Sequence, residues 1–130
     1  MEPRISLDGL IWIHAVAVGE FGGSPGVRDR GLLESAIARP VASLAGKNLC
    51  DTPFKRAAAL AESLVLNQGF IHGNKRTAMY AMGAWLEREG FVLAAKRGEL
   101  RDLALSIASH ELSTEQVATW LEARCNQHSM

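Results

Sequence analysis

The chain has 130 residues, 48% of them hydrophobic, with 14 acidic side chains against 14 Lys and Arg. That size fits one domain, able to bury roughly two-thirds of the surface its unfolded chain exposes. The composition excludes a disordered chain, and the balanced charge argues against a general nucleic-acid coat while leaving room for one local basic pocket. The opening Met-Glu-Pro-Arg-Ile-Ser lacks the shape of a signal peptide, and the longest apolar run, Leu10 to Val18, is broken by His14 and is too short to span a bilayer. A cytoplasmic setting is the expectation.

The periodicity predicts helices almost throughout. Ser6 caps a first helix to about Val18, with Gly19 as its stop, and Phe21 to Gly26 reads as a loop full of breakers. Asp29 is a natural cap for a helix over 30–39, stopped by Pro40, with Leu32, Leu33, Ala36 and Ile37 as its stripe. Residues 41–51 read as loop with room for one short helix. Thr52-Pro53 opens an alanine-rich helix to about Asn67 whose weak amphipathicity predicts burial on most sides. After a loop over 68–73, a helix over 74–89 carries Ala78, Met82, Trp85 and Leu86 on one face and ends at Gly90. Phe91-Val92-Leu93 is the one extended-looking stretch. A helix from Gly98 to about Ser109 follows. Ser113-Thr114-Glu115-Gln116 is a capping box for a last helix to about Cys125, with Val117, Trp120 and Leu121 on one face. The expected fold is all-α, a compact bundle of about six helices over 1–125, followed by a disordered tail over 126–130.

The richest stretch is Gln68-Gly-Phe-Ile-His-Gly-Asn-Lys-Arg76. It joins two helices expected to be mainly buried, so both its ends are held rigidly. Gly73 permits special backbone geometry, Asn74 suits a turn, Lys75 brings a point charge and Arg76 a planar fork suited to phosphate oxygens. Phe70 is expected to anchor the loop inward. The plainer reading, solvated cations at a common Gly-Asn turn, stands beside the anion cradle. Cations in a helix's first turn oppose its dipole, and a bound phosphate would relieve that.

The stretch resembles the motif of the Fic/Doc family, most closely its Doc (death-on-curing) branch, where it reads His-x-Phe-x-Asp-(Gly/Ala)-Asn-Lys-Arg. Phe70, Gly73, Asn74, Lys75 and Arg76 match, and Thr77-Ala78 follow. Phe21 through Ala36, Ala38-Arg39-Pro40, Glu111-Leu112-Ser113 and Ala118-Thr119-Trp120-Leu121 also fit, so the resemblance covers roughly residues 10–124. It implies a helical fold with the motif between two central helices. It also implies the toxin of a toxin–antitoxin pair, moving a phosphoryl group from ATP, with Mg²⁺, to a hydroxyl of translation elongation factor Tu. A Phd-like antitoxin would lay a helix in a groove beside the motif. Fic relatives move an AMP group instead. Lys75 in place of a small residue, and Met79 where Fic has a second arginine, fit Doc.

Two chemical positions depart from the pattern. The family's general-base histidine aligns with Gln68, whose amide has no useful basicity near neutral pH. The acidic residue that holds Mg²⁺ aligns with His72, a poor partner for a hard cation. Gly69 stands where a proline is usual and is expected to loosen the loop. Three readings follow: a degenerate member that binds but does not transfer; an active one in which His72 serves as base; or a chain altered to make a toxic protein expressible. A non-catalytic module for a nucleotide or an antitoxin helix is the alternative from a different class.

Other candidates have bland readings. His14 is expected to be buried and hydrogen-bonded, His110 to contact a helix end, and His128 to lie in the tail. Trp12, Trp85 and Trp120 read as core, with a partner-facing Trp120 as the sharper option. Arg28 and Asp29 read as a loop ion pair and a cap. Cys50 and Cys125 lack metal-like spacing and read as incidental thiols.

Overall fold

The structure is a computed structural model describing residues 1–127. Six helices appear among them: α1 (Leu7–Phe21), α2 (Arg30–Ala38), α3 (Pro53–Asn67), α4 (Asn74–Arg88), α5 (Arg97–Ala108) and α6 (Thr114–Arg124). Four start where the sequence places a cap. Ser6, Asp29, Thr52 and Ser113 each accept a backbone N–H of the first turn, from Gly9, Leu32, Lys55 and Gln116. Each such cap stabilises its helix by about 1 kcal/mol.

The expected burial of α3 is observed. Ala57 through Ala61 are wholly enclosed, and α3 packs most heavily on α4 and α6. The small side chains admit both neighbours closely. Leu60 and Leu64 of α3, Met82, Trp85 and Leu86 of α4, and Val117 and Leu121 of α6 form the centre of the core. Two polar knots pin its edges. Arg56 donates both Nε and Nη2 to Glu89 at 2.8 Å, Trp85 Nε1 donates to the same carboxylate at 2.8 Å, and Arg56 Nη1 reaches the Cys50 carbonyl at 3.1 Å. Arg39 Nη2 pairs with Glu62 at 2.9 Å while its Nη1 donates to Ser63 Oγ at 3.0 Å, and Thr114 Oγ1 donates to Glu62 at 2.8 Å.

Four expectations are corrected. Helix α1 runs through Gly19 to Phe21; Gly19 is exposed, and a lone helical glycine costs only about 1 kcal/mol. The chain leaves the helix at Gly22, with φ 83°, whose N–H bonds the Val18 carbonyl at 2.8 Å. Within 41–51 there is a hairpin, β1 (Ser43–Leu44) with β2 (Lys47–Asn48), turned by Ala45 and Gly46 at φ 53° and 80°. Positive φ at both turn residues matches the twist of the flanking strands. Residues 126 and 127 are not a free tail: β4 (Cys125–Gln127) pairs antiparallel with β3 (Phe91–Leu93), Phe91 opposite Gln127. His128 and the remaining tail residues lie outside the described ones. Trp12 is not core; it is 68% exposed, whereas Trp85 is fully buried and Trp120 is half-buried under the Arg124 guanidinium, 4.0 Å from its ring centre.

Cys50 and Cys125 are free and half-buried, and burial pushes both thiols up, away from the reactive thiolate. No described helix is long and apolar enough to cross a membrane.

Candidate functional site

Residues 68–73 form the turn between α3 and α4, and a web of hydrogen bonds fixes it. Gln68 takes the left-handed conformation, φ 52°, to end α3. Arg28 does not pair with Asp29. Its Nε and Nη2 donate to the carbonyls of Gln68 and Asn67 at 2.7 and 2.8 Å, so a guanidinium satisfies the open end of α3. The chain from Gly26 to Asp29 runs antiparallel to the turn. The Arg28 and Asp29 N–H groups donate to the Gly69 carbonyl at 2.8 and 3.0 Å, and the Ile71 N–H to the Gly26 carbonyl at 3.0 Å.

Gly69 tightens the turn instead of loosening it. It is buried, and a Cβ there would sit 2.5 Å from Leu33 Cδ2. The bare backbone lets α2 close on the turn, where even an alanine would collide.

Asn74 clasps the turn from within. Its Oδ1 accepts the Phe70 N–H and its Nδ2 donates to the Phe70 carbonyl, both at 3.0 Å. The amide is thereby committed to the loop, and Asn74 positions backbone. Phe70 is buried as expected and stacks flat on His14, centres 3.8 Å apart. His14 is 3% exposed, and its Nε2 lies 2.8 Å from the His72 carbonyl. A carbonyl only accepts, so Nε2–H donates, and His14 is the buried, hydrogen-bonded histidine the sequence suggests. Among the described residues the His110 side chain makes no hydrogen bond; its backbone, at φ 60°, closes α5 through its N–H to the Ile107 carbonyl.

His72 is exposed, but its ring is engaged. The Ser24 N–H donates to Nδ1 at 2.9 Å. A neutral imidazole has one acceptor nitrogen, so Nδ1 is that acceptor and Nε2 carries the proton. While this bond holds, neither nitrogen offers a free lone pair to a proton or a metal. Among the described residues no group of three His, Cys, Asp or Glu side chains could hold a metal ion. Residues 68–76 contain no Asp or Glu, so the donor set at the motif does not fit Mg²⁺, which is held through carboxylate oxygens.

The turn opens into a cleft of about 720 Å³ between the end of α1, the start of α4 and one face of α5. Gln68, His72, Gly73, Asn74, Lys75 and Arg76 all line it, so the structure gathers the sequence-predicted residues in one place, with Phe70 beneath. Helix α4 begins at Gly73, φ 77°, and unlike α1, α2, α3 and α6 it has no side chain capping its first N–H groups. Open N–H groups beside Lys75 and Arg76 suit an anion as the missing cap. The deeper wall is apolar, from Val65, Met79, Leu100 and Ala104.

Sequence reasoning missed three contributors. Phe21 lines the cleft, with the Arg76 guanidinium carbon 3.2 Å above its ring centre. Arg97 and Arg101 reach in from α5. Their spacing of four residues on one helix face was readable, but not that this face meets the motif. On the same wall Tyr80 Oη donates to Glu20 at 2.8 Å; burial first, then Glu20, pushes the phenol up, so it stays protonated.

A helical domain with this turn between its two central helices is the arrangement that the resemblance of the motif implies. A sequence model of the Fic/DOC family matches residues 4–86, well over half the chain, and the chain belongs to that family. It is similar to Toxin Doc of Mycolicibacterium smegmatis, 39% identical over 105 residues that cover 78% of this chain and 79% of that protein. It is also similar to Protein kinase doc of Escherichia phage P1, 33% identical over 118 residues that cover 91% and 92%. Both are Doc proteins, which places the chain on the Doc branch.

Proposed function

We propose that this protein is a Doc-type toxin of a toxin–antitoxin pair, whose cleft binds the phosphates of ATP but is crippled in passing one on. The observation that carries this reading is the division of labour around one cleft. Lys75, Arg76 and the uncapped start of α4 face it, while the two positions of the family's proton and metal chemistry hold Gln68 and an engaged His72. Charge stabilisation and positioning supply most of phosphoryl-transfer catalysis, so the cradle alone predicts binding. Moving the phosphate also requires the acceptor hydroxyl to lose its proton, and Gln68 cannot take it. The Ser24 bond on Nδ1 argues equally against His72 as a replacement base. Lys75 supports phosphoryl over AMP transfer through the family pattern.

The relatives' names, a toxin and a protein kinase, support this reading, and elongation factor Tu is the acceptor to try first. The test incubates the protein with terminally labelled ATP, Mg²⁺ and elongation factor Tu, and repeats it with Gln68→His and His72→Asp combined. The expected result is no label from the unmodified chain and label from the restored one. Equal labelling by both would sink the crippled-site reading.

A second reading has its own observation. Phe21, Ile71 and Leu105 stand 40%, 51% and 50% exposed at the cleft. Such a rim suits the apolar face of an antitoxin helix, and the protein would then act as a binding module. ATP that fails to bind at all, together with an antitoxin that still does, would favour this second reading.

A further inference from the structure

The four cations of the cleft share a property that the motif does not explain. Lys75, Arg76, Arg97 and Arg101 all line it, and none pairs with a carboxylate among the described residues. Two of them crowd a single ring. Arg76 lies 3.2 Å and Arg97 5.2 Å from the centre of Phe21, so guanidiniums from α4 and α5 are held together by one aromatic side chain. Arg101 follows Arg97 by one turn on the same helix face, where like charges repel. Glu20, the carboxylate on this wall, is bonded to Tyr80 and joins none of them. One ring does not offset this charge. Arg97 and Arg101 also lie beyond the residues that the family model matches, 4–86.

We propose that Arg97 and Arg101 form a second anion subsite, and that the cleft grips a polyphosphate chain from two sides. Lys75, Arg76 and the start of α4 hold one phosphate, and the α5 forks hold the next along the chain. This inference rests on the ATP-phosphate reading above and adds the residues that hold the second phosphate of the chain, Arg97 and Arg101. A triphosphate carries its negative charges on adjacent groups, as the two sets of cations require. Arginine suits the task, since its planar fork takes two phosphate oxygens at once and Phe21 holds the fork flat without neutralising it. Phe21 is then a positioning residue, linking the two subsites. The chemistry is that of any polyphosphate, carried by a nucleotide or free.

The experiment is calorimetric titration of the full chain with ATP, AMP and inorganic triphosphate at low and moderate salt. The unmodified protein should bind both triphosphates, more weakly as salt rises. Arg97→Ala and Arg101→Ala should each weaken both by roughly tenfold, the scale of one charge-assisted hydrogen bond, and change AMP binding by less than about twofold. Both side chains are exposed, so the variants should fold. Arg97→Lys, which keeps the charge and loses the fork, should fall between. Inorganic triphosphate binding as tightly as ATP would assign the grip to phosphate alone; a deficit would add a nucleoside contact on the apolar wall, and both agree with two-sided capture. If ATP binds and neither α5 substitution changes its affinity, the second subsite is wrong while the nucleotide reading stands. If neither ATP nor triphosphate binds at all, both fall.

Discussion

Two groups of cations in this protein sit in unlike surroundings. On the flank of the core, Arg56 meets Glu89 in a two-pronged pair whose side chains are 11% and 5% exposed, and Arg39 meets Glu62 within a knot that ties α3 to the start of α6. In the cleft, four cations stand together and none of them pairs with a carboxylate among the described residues. A paired charge next to a core makes its surroundings rigid and is costly to disturb. An unpaired cluster opposes folding slightly and is relieved by a ligand. The same residue types therefore report structure in one region and function in the other, and the presence of a partner separates them.

The largest effect should come from breaking the flank. Arg56→Ala leaves a buried carboxylate with only the Trp85 bond, and unfolding by denaturant should show a loss of about 3 kcal/mol or more. Glu89 also gives the acid response a sign. Burial pushes its carboxyl up, but the Arg56 and Trp85 hydrogen bonds outweigh that and hold it below its ordinary 4.5. A depressed carboxyl contributes stability that is complete above its unfolded value and is lost as pH falls through the folded one. Melting temperature should therefore drop on acidification below about pH 4.5, with a shallower slope in Glu89→Gln.

A smaller effect belongs to the turn between the regions. Gly69→Ala should destabilise by about 1–3 kcal/mol through collision with Leu33. The penalty should shrink in a Leu33→Ala background, since two contacting residues do not act additively. Equal penalties in both backgrounds would contradict the tight packing assigned to Gly69. The smallest effect on stability belongs to the cleft. Lys75→Gln should shift unfolding by no more than about 0.5 kcal/mol, in the stabilising direction if repulsion dominates. A loss of several kcal/mol would show that the cleft cations are structural after all.

Much of this was written in local chemistry. Ser6, Asp29, Thr52 and Ser113 announce four helix starts because capping involves residues three apart, and the alanine run of α3 announces a helix covered on several sides. The motif turn was legible for the same reason, since Gly73, Asn74, Lys75 and Arg76 are neighbours in the chain. The remainder depends on contacts between distant residues. Nothing near Arg28 says that its side chain closes α3, nothing near residue 126 says that it pairs with Val92, and nothing near Arg97 says that Phe21 waits across the cleft. The Ala45-Gly46 turn is hard to read in sequence because alanine is uncommon at positive φ, and Trp12 shows that a large apolar side chain need not be buried. His72 was visible as a misfit, but that Ser24 occupies its ring required the fold.

The central claim is that the cleft cations exist to hold phosphate and the paired ones do not. It is tested most directly by titrating ATP into the unmodified chain and into Lys75→Ala with Arg76→Ala, at matched salt. The account predicts binding to the first, a loss of at least about tenfold in the second, and little change in melting temperature between the unliganded proteins. Equal affinity for ATP in both chains would contradict it.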